Sequence, residues 1–130
     1  MTATLNRILV VEDEDDIREI VTAVLETLGK YTVESCTSGD EAIEKAAAFN
    51  PDIMLLDVMM PGMDGPTTLS KLRDNPGLEK TPVIFMTAKA MPAEIESYMS
   101  LGALGVITKP FNPTTICEEI EAFWDSAHSS

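Results

Sequence analysis

Short apolar runs and amphipathic stretches alternate along the chain. Ile8 to Val11 is an unbroken apolar run, the pattern of a strand covered on both faces. Ile17, Ile20, Val21, Val24, Leu25 and Leu28 then recur at helical spacing, and Gly29 supplies a stop. Tyr31 to Cys36 alternates and is rich in β formers. Ser38 with Glu41 three residues on predicts a capping box, opening a helix that carries Ala42, Ile43, Ala46 and Ala47 and is closed by Asn50 and Pro51. Ile53 to Leu56 is a third run; a Pro/Gly loop from Pro61 to Gly65 then leads into a helix around Leu69 and Leu72, where Pro66 suits the first turn. Pro82 to Met86 is the fourth run, and Pro92 starts a helix whose apolar side is Ile95, Tyr98 and Met99. Gly102 and Gly105 frame a turn into a short strand, Val106 and Ile107. Asn112 and Pro113 predict the N-cap and first position of a last helix with Ile116, Ile120 and Phe123, ending near Trp124.

Five strand–helix alternations predict an α/β fold, a parallel sheet between helical layers with right-handed crossovers. The carboxyl ends of the strands in such a sheet share one edge, where ligands bind. Glu12, Asp13, Asp57, Thr87 and Lys109 each stand where an apolar run stops, so the topology gathers them although the sequence separates them. Three carboxylates, one hydroxyl and one ammonium suit a hard cation and a phosphoryl group. Mg²⁺ prefers oxygen ligands and would relieve the repulsion among the acids. A strand-end carboxylate beside it can attack phosphorus and form an acyl phosphate. Lys109 adds countercharge, and Thr87 can donate its hydroxyl hydrogen to a phosphoryl oxygen. Taken singly these residues are bland: Glu12 and Asp13 are also favourable helix N-terminal acids, and Lys109 is also a surface lysine.

A chain of 130 residues with 45% hydrophobic residues is the size and composition of one self-sufficient domain. A net charge of -13 disfavours direct contact with nucleic acid or anionic membrane. Cys36 and Cys117 lack the spacing of a zinc or redox motif and read as small buried thiols. Met1 to Arg7 holds no apolar stretch long enough for a signal peptide or a membrane span, so a cytoplasmic location is expected. One domain is expected over residues 1–124, followed by a short polar tail, 125–130, in which His128 reads as inert.

Glu12-Asp13 after the first strand, the run Asp57-Val58-Met59-Met60-Pro61-Gly62-Met63-Asp64-Gly65, Thr87-Ala88 and Lys109-Pro110-Phe111 together resemble the receiver domains of bacterial two-component response regulators, single-domain chemotaxis regulators among them. The resemblance covers nearly the whole chain. It implies a flavodoxin-like (βα)5 three-layer sandwich with strand order 2-1-3-4-5, an order carried over from the family rather than derived. It implies that Asp57 is the phosphoacceptor, that Glu12, Asp13, Asp57 and the backbone carbonyl of Met59 hold Mg²⁺, and that Thr87 and Lys109 contact the phosphoryl oxygens. It further implies a cis Lys109-Pro110 bond. The partners it implies are a sensor histidine kinase or histidine phosphotransfer protein upstream and a protein target downstream. The receiver would be a monomer or a phosphorylation-dependent dimer, and not an enzyme beyond its own phosphorylation and dephosphorylation. The implied contact face surrounds the fourth helix, last strand and last helix, with Met91, Ile95 and Glu119 as candidates.

One position departs from the family pattern. Relatives commonly carry Tyr or Phe three residues before the lysine, where this chain has Val106, so the readout of phosphorylation is expected to rely on the Thr87 to Ile95 segment. Two other readings fit part of this constellation. An aspartate-nucleophile phosphatase of the haloacid dehalogenase type would want a second acid two residues after the nucleophile, where Met59 stands. A phosphorylation-independent pseudo-receiver would be expected to have lost some of the five site residues, all of which are present.

Overall fold

Each apolar run becomes a strand and each amphipathic stretch a helix. A computed structural model describes residues 4–128. Its strands are β1 (Arg7–Val11), β2 (Thr32–Cys36), β3 (Ile53–Asp57), β4 (Val83–Thr87) and β5 (Gly105–Thr108). They alternate with helices α1 (Asp15–Thr27), α2 (Gly39–Phe49), α3 (Gly65–Arg73), α4 (Pro92–Ser100) and α5 (Ile116–His128). All strand pairs are parallel, in the order β2-β1-β3-β4-β5, as the family resemblance implies. The unbroken runs form the interior strands: β3 and β4 are buried along their full length. Alternating β2 lies at an edge, exposed at Thr32 and buried at Cys36.

The two-residue period of the strands sorts the core into two layers. Leu9, Val11, Met54, Leu56, Val83 and Phe85 face one side, where Ala42 and Ala46 of α2 and Leu69 and Leu72 of α3 cover them. Ile8, Val10, Ile53, Leu55, Ile84, Met86 and Ile107 face the other, under Val21 and Leu25 of α1 and Ile116, Ile120 and Trp124 of α5. Helix α4 is the exception, for it buries no residue. Of its expected apolar side, Ile95 and Tyr98 are half-buried and Met99 is exposed. The Tyr98 ring rests on Phe85 with centroids 5.4 Å apart.

The local signals act with small shifts. Ser38 Oγ accepts the Glu41 N–H, but the return bond runs from the Thr37 N–H to Glu41 Oε1, one residue earlier than a regular capping box places it. Asn50 ends α2 in a left-handed conformation, φ 55°. Asn112 Oδ1 accepts the Thr114 N–H and its carbonyl accepts the Ile116 N–H. Regular helix nevertheless begins at Ile116, because Pro113 to Thr115 form a turn ahead of it.

At the other end α5 runs to His128, four residues beyond its expected stop at Trp124. Trp124 is buried, the His128 ring stacks on it with centroids 3.7 Å apart, and His128 Nδ1 lies 2.8 Å from the Trp124 carbonyl oxygen. Residues 125–128 are thus helical rather than a frayed tail, while Ser129 and Ser130 lie outside the described residues. The expectation of two buried thiols holds for Cys36, whose burial pushes its pKa up to about 12; Cys117 is only half-buried. No helix among the described residues is long and apolar enough to cross a membrane.

Candidate functional site

Glu12 and Asp13 directly follow β1, Asp57 and Thr87 are the last residues of β3 and β4, and Lys109 directly follows β5. Backbone bonds past the strand ends pin three of these positions. Glu12 N donates to Cys36 O at 3.1 Å, Val58 N to Met86 O at 3.0 Å and Lys109 N to Thr87 O at 2.9 Å. The carboxyl edge is therefore a fixed rim before any side chain contributes. Lys109 is joined to Pro110 by a cis peptide bond.

Lys109 reaches across this rim. Its Nζ lies 2.9 Å from Asp57 Oδ1 and 2.6 Å from Glu12 Oε1, the latter an ion pair whose angles fall outside hydrogen-bond geometry. Glu12 is fully buried and Asp57 is 2% exposed. The other oxygen of Glu12, Oε2, accepts the Glu14 N–H at 3.1 Å. Two buried carboxylate oxygens have no partner, Asp13 Oδ1 and Asp57 Oδ2. One ligand oxygen from each of Glu12, Asp13 and Asp57 can be chosen so that all lie within 4.8 Å of one another.

The charge balance follows from this crowding. Burial first, and then the neighbouring Glu12 carboxylate, push the Asp57 pKa up to about 7 against the downward pull of Lys109. Burial alone would lower the Lys109 pKa, but Glu12 and Asp57 outweigh it and the ammonium titrates above its ordinary range. A single Lys109 charge serves two buried carboxylates, and orphaned oxygens of Asp13 and Asp57 remain beside it. A hard oxygen donor set of this kind fits a small divalent cation.

Residues 8–121 match the model of the response regulator receiver domain. The chain belongs to the response regulator receiver family. It is 40% identical over 114 residues to the transcriptional regulatory protein DltR of Streptococcus agalactiae, a match covering 88% of this chain and 50% of DltR. It is 37% identical over 116 residues to the transcriptional regulatory protein ResD of Bacillus subtilis, covering 89% of this chain and 47% of ResD. The chain thus spans about half the length of these curated relatives. Among solved structures it is similar to the chemotaxis protein CheY4 of Vibrio cholerae, with a TM-score of 0.85 and 31% identity, covering 92% of this chain and 99% of that one. The N-terminal domain of a response regulator receiver protein from Methanoculleus marisnigri is 37% identical with a TM-score of 0.73, covering 92% and 96%.

In this receiver the structure brings Glu12, Asp13, Asp57 and Lys109 together directly. Thr87 is buried at the same edge, but its Oγ1 accepts the Lys89 N–H at 2.9 Å, within its own loop. Met59 is 62% exposed and lines an open cleft with Met60, Pro61, Gly62 and Asp64. Two further residues touch the site from behind. Gly65 N donates to Val58 O at 2.9 Å, and a Cβ on Gly65 would meet Asp57 O at 2.5 Å, so only glycine lets α3 start this close to Asp57. Arg18 Nη1 donates to Glu12 O at 3.1 Å. Gly65 stood out in the sequence only as a loop marker and the last residue of the run from Asp57 to Gly65, and Arg18 did not stand out, although it is the first cation after five consecutive acids, Glu12 to Asp16.

Proposed function

We propose that this receiver accepts a phosphoryl group on Asp57 from a phosphohistidine donor and thereby switches a protein contact. The supporting observation is the pair of buried, unpartnered oxygens, Asp57 Oδ2 and Asp13 Oδ1, beside the Lys109 ammonium. Asp57 is the nucleophile: its oxygen forms the new O–P bond while the donor's N–P bond breaks, and the leaving imidazole nitrogen keeps the electron pair and takes up a proton. Lys109 balances charge on the phosphoryl oxygens. Glu12, Asp13 and Asp57, with the Met59 carbonyl, would hold Mg²⁺. When bound, that ion would supply further countercharge at the phosphoryl group. Thr87 can exchange its long donation to the Lys89 carbonyl, 3.5 Å, for donation to a phosphoryl oxygen, which draws the β4–α4 loop inward. Attack of water on the acyl phosphate returns Asp57 and inorganic phosphate.

The partners consistent with this chemistry are a sensor histidine kinase or histidine phosphotransfer protein and a downstream protein, met in the cytoplasm by a receiver that is a monomer or a phosphorylation-dependent dimer. The face around α4, β5 and α5, with Met91 and Glu119 exposed, adjoins the Thr87 loop and suits the downstream contact. Incubation with acetyl phosphate and Mg²⁺ followed by intact mass measurement tests the reading. The native protein is expected to gain one phosphoryl group and Asp57→Asn none. Equal gain in both proteins would remove Asp57 from its role.

A further inference from the structure

Arg18 clamps the backbone of the loop between β1 and α1. Glu12 to Asp16 are five consecutive acids, and Glu14, the N-cap of α1, makes no side-chain capping bond. Arg18 ties this loop instead: Nη1 donates to Glu12 O at 3.1 Å and Nη2 to Asp15 Oδ1 at 2.6 Å. The guanidinium is a rigid planar fork, so two bonds from it fix both distance and orientation between residues 12 and 15. The Arg18 side chain is only 15% exposed, so its bond to the Glu12 carbonyl is the sheltered arm of the clamp, whereas the Asp15 carboxylate is 77% exposed and open to water.

The clamp acts on the backbone of a site residue. Glu12 N is already bonded to Cys36 O, so with Arg18 on Glu12 O both backbone polar groups of Glu12 are anchored, one to β2 and the other to α1. The Glu12 carbonyl lies in the same planar peptide unit as the Asp13 N–H and Cα. Fixing that plane sets where the Asp13 side chain leaves the backbone, and Asp13 Oδ1, like Asp57 Oδ2, is a buried carboxylate oxygen with neither a hydrogen bond nor an ion pair. Building on the Mg²⁺ reading above, we propose that Arg18 is a positioning residue for the cation site, aiming Asp13 through the Glu12 carbonyl.

A role through charge alone has the opposite sign. A guanidinium near the cluster repels a divalent cation, so removing it would tighten binding if Arg18 acted only through its field. If it acts by positioning, removing it weakens binding although the site becomes more negative. Loss of a residue that orients a metal ligand costs about 10- to 100-fold in affinity.

The test is isothermal titration of the full chain with Mg²⁺ alone, comparing the native protein with Arg18→Met and Arg18→Lys. The Kd is expected to rise about 10-fold or more in Arg18→Met. Arg18→Lys, which keeps the charge and loses the fork, is expected not to restore it. Circular dichroism identifies the folded variants, and if Arg18→Met does not fold, Arg18→Lys alone decides. As a second readout, the Mg²⁺ concentration for half-maximal phosphorylation by acetyl phosphate shifts upward while the rate at saturating Mg²⁺ is retained. An unchanged or lower Kd in a folded variant, or full rescue by lysine, overturns the positioning role and leaves the Asp57 reading standing wherever the native protein is phosphorylated. A native protein that binds no Mg²⁺ overturns both.

Discussion

Lys109 and Asp57 form a buried ion pair, Nζ to Oδ1 2.9 Å, between strand ends 52 positions apart in sequence. The same ammonium lies 2.6 Å from Glu12 Oε1, so one side chain neutralises what two strands contribute. Lys109→Met removes the only cation in contact with either carboxylate among the described residues. Breaking a buried pair from one side costs about 3–5 kcal/mol. Urea unfolding at pH 8 without Mg²⁺ is expected to show a loss of that order, partly recovered when Mg²⁺ is added. An unchanged midpoint would mean that solvent already screens these carboxylates.

The Asp57 carboxyl, with its pKa raised to about 7, ties stability to pH. Its ordinary value is 3.8, so between about pH 4 and 7 the folded protein binds a proton that the unfolded chain releases. The contribution of Asp57 is therefore fully favourable below about pH 4 and is lost as pH rises through about 7. Asp57→Asn is always neutral and escapes this loss. Without Mg²⁺, the variant is expected to exceed the native protein in Tm by more at pH 8 than at pH 5, and added Mg²⁺ should shrink the difference. A Tm difference independent of pH between 5 and 8 would rule out the titration.

Much of this arrangement was legible in the sequence because strand ends in a parallel sheet converge, and apolar runs with terminal acids mark those ends. Glu12, Asp13, Asp57 and Lys109 were found that way. Gly65 was legible only as a loop residue of the run from Asp57 to Gly65 and Arg18 not at all, because their roles depend on backbone approach and a carbonyl contact, which leave no hydrophobic period. The helical C-terminus past Trp124 was hidden in a polar sequence, where the stacked Trp124 and His128 rings hold the last turn. Helix α4 was legible in extent but not in depth: Met99 shares the spacing of Ile95 and Tyr98 yet stays exposed. Val106, where the family resemblance leads one to expect an aromatic ring, pairs in register with Phe85, whose aromatic neighbour is Tyr98 of α4.

Gly65→Ala tests the support behind Asp57. The added Cβ would lie 2.5 Å from Asp57 O and 2.9 Å from Val58 Cα, both backbone atoms that no rotamer change can move away. Overpacking of this kind costs about 1–3 kcal/mol. The strain falls on the peptide of Asp57, the proposed phosphoacceptor, so the rate of phosphorylation by acetyl phosphate is expected to drop in protein that is still folded. A destabilised variant with the native rate would show that α3 yields and the β3 end does not.

Helix α4 is the element least tied to the core. It has no buried residue and no side-chain cap at Met91, whereas α1 buries Val21 and Leu25 and α5 buries Ile116, Ile120 and Trp124. Its main ring contact is Tyr98 on Phe85, a pair worth about 0.5–1.5 kcal/mol beyond the area it buries. Local opening is cheapest where few apolar contacts must break. In hydrogen exchange, α4 amides are therefore expected to exchange before those of α1 and α5, and Tyr98→Ala should speed α4 without changing α1. Phe85 lies two residues before Thr87 on the same face of β4, so a shift at Thr87 reaches α4 through a contact weak enough to rearrange. Protection of α4 equal to that of α5 would remove it as the mobile part of the switch.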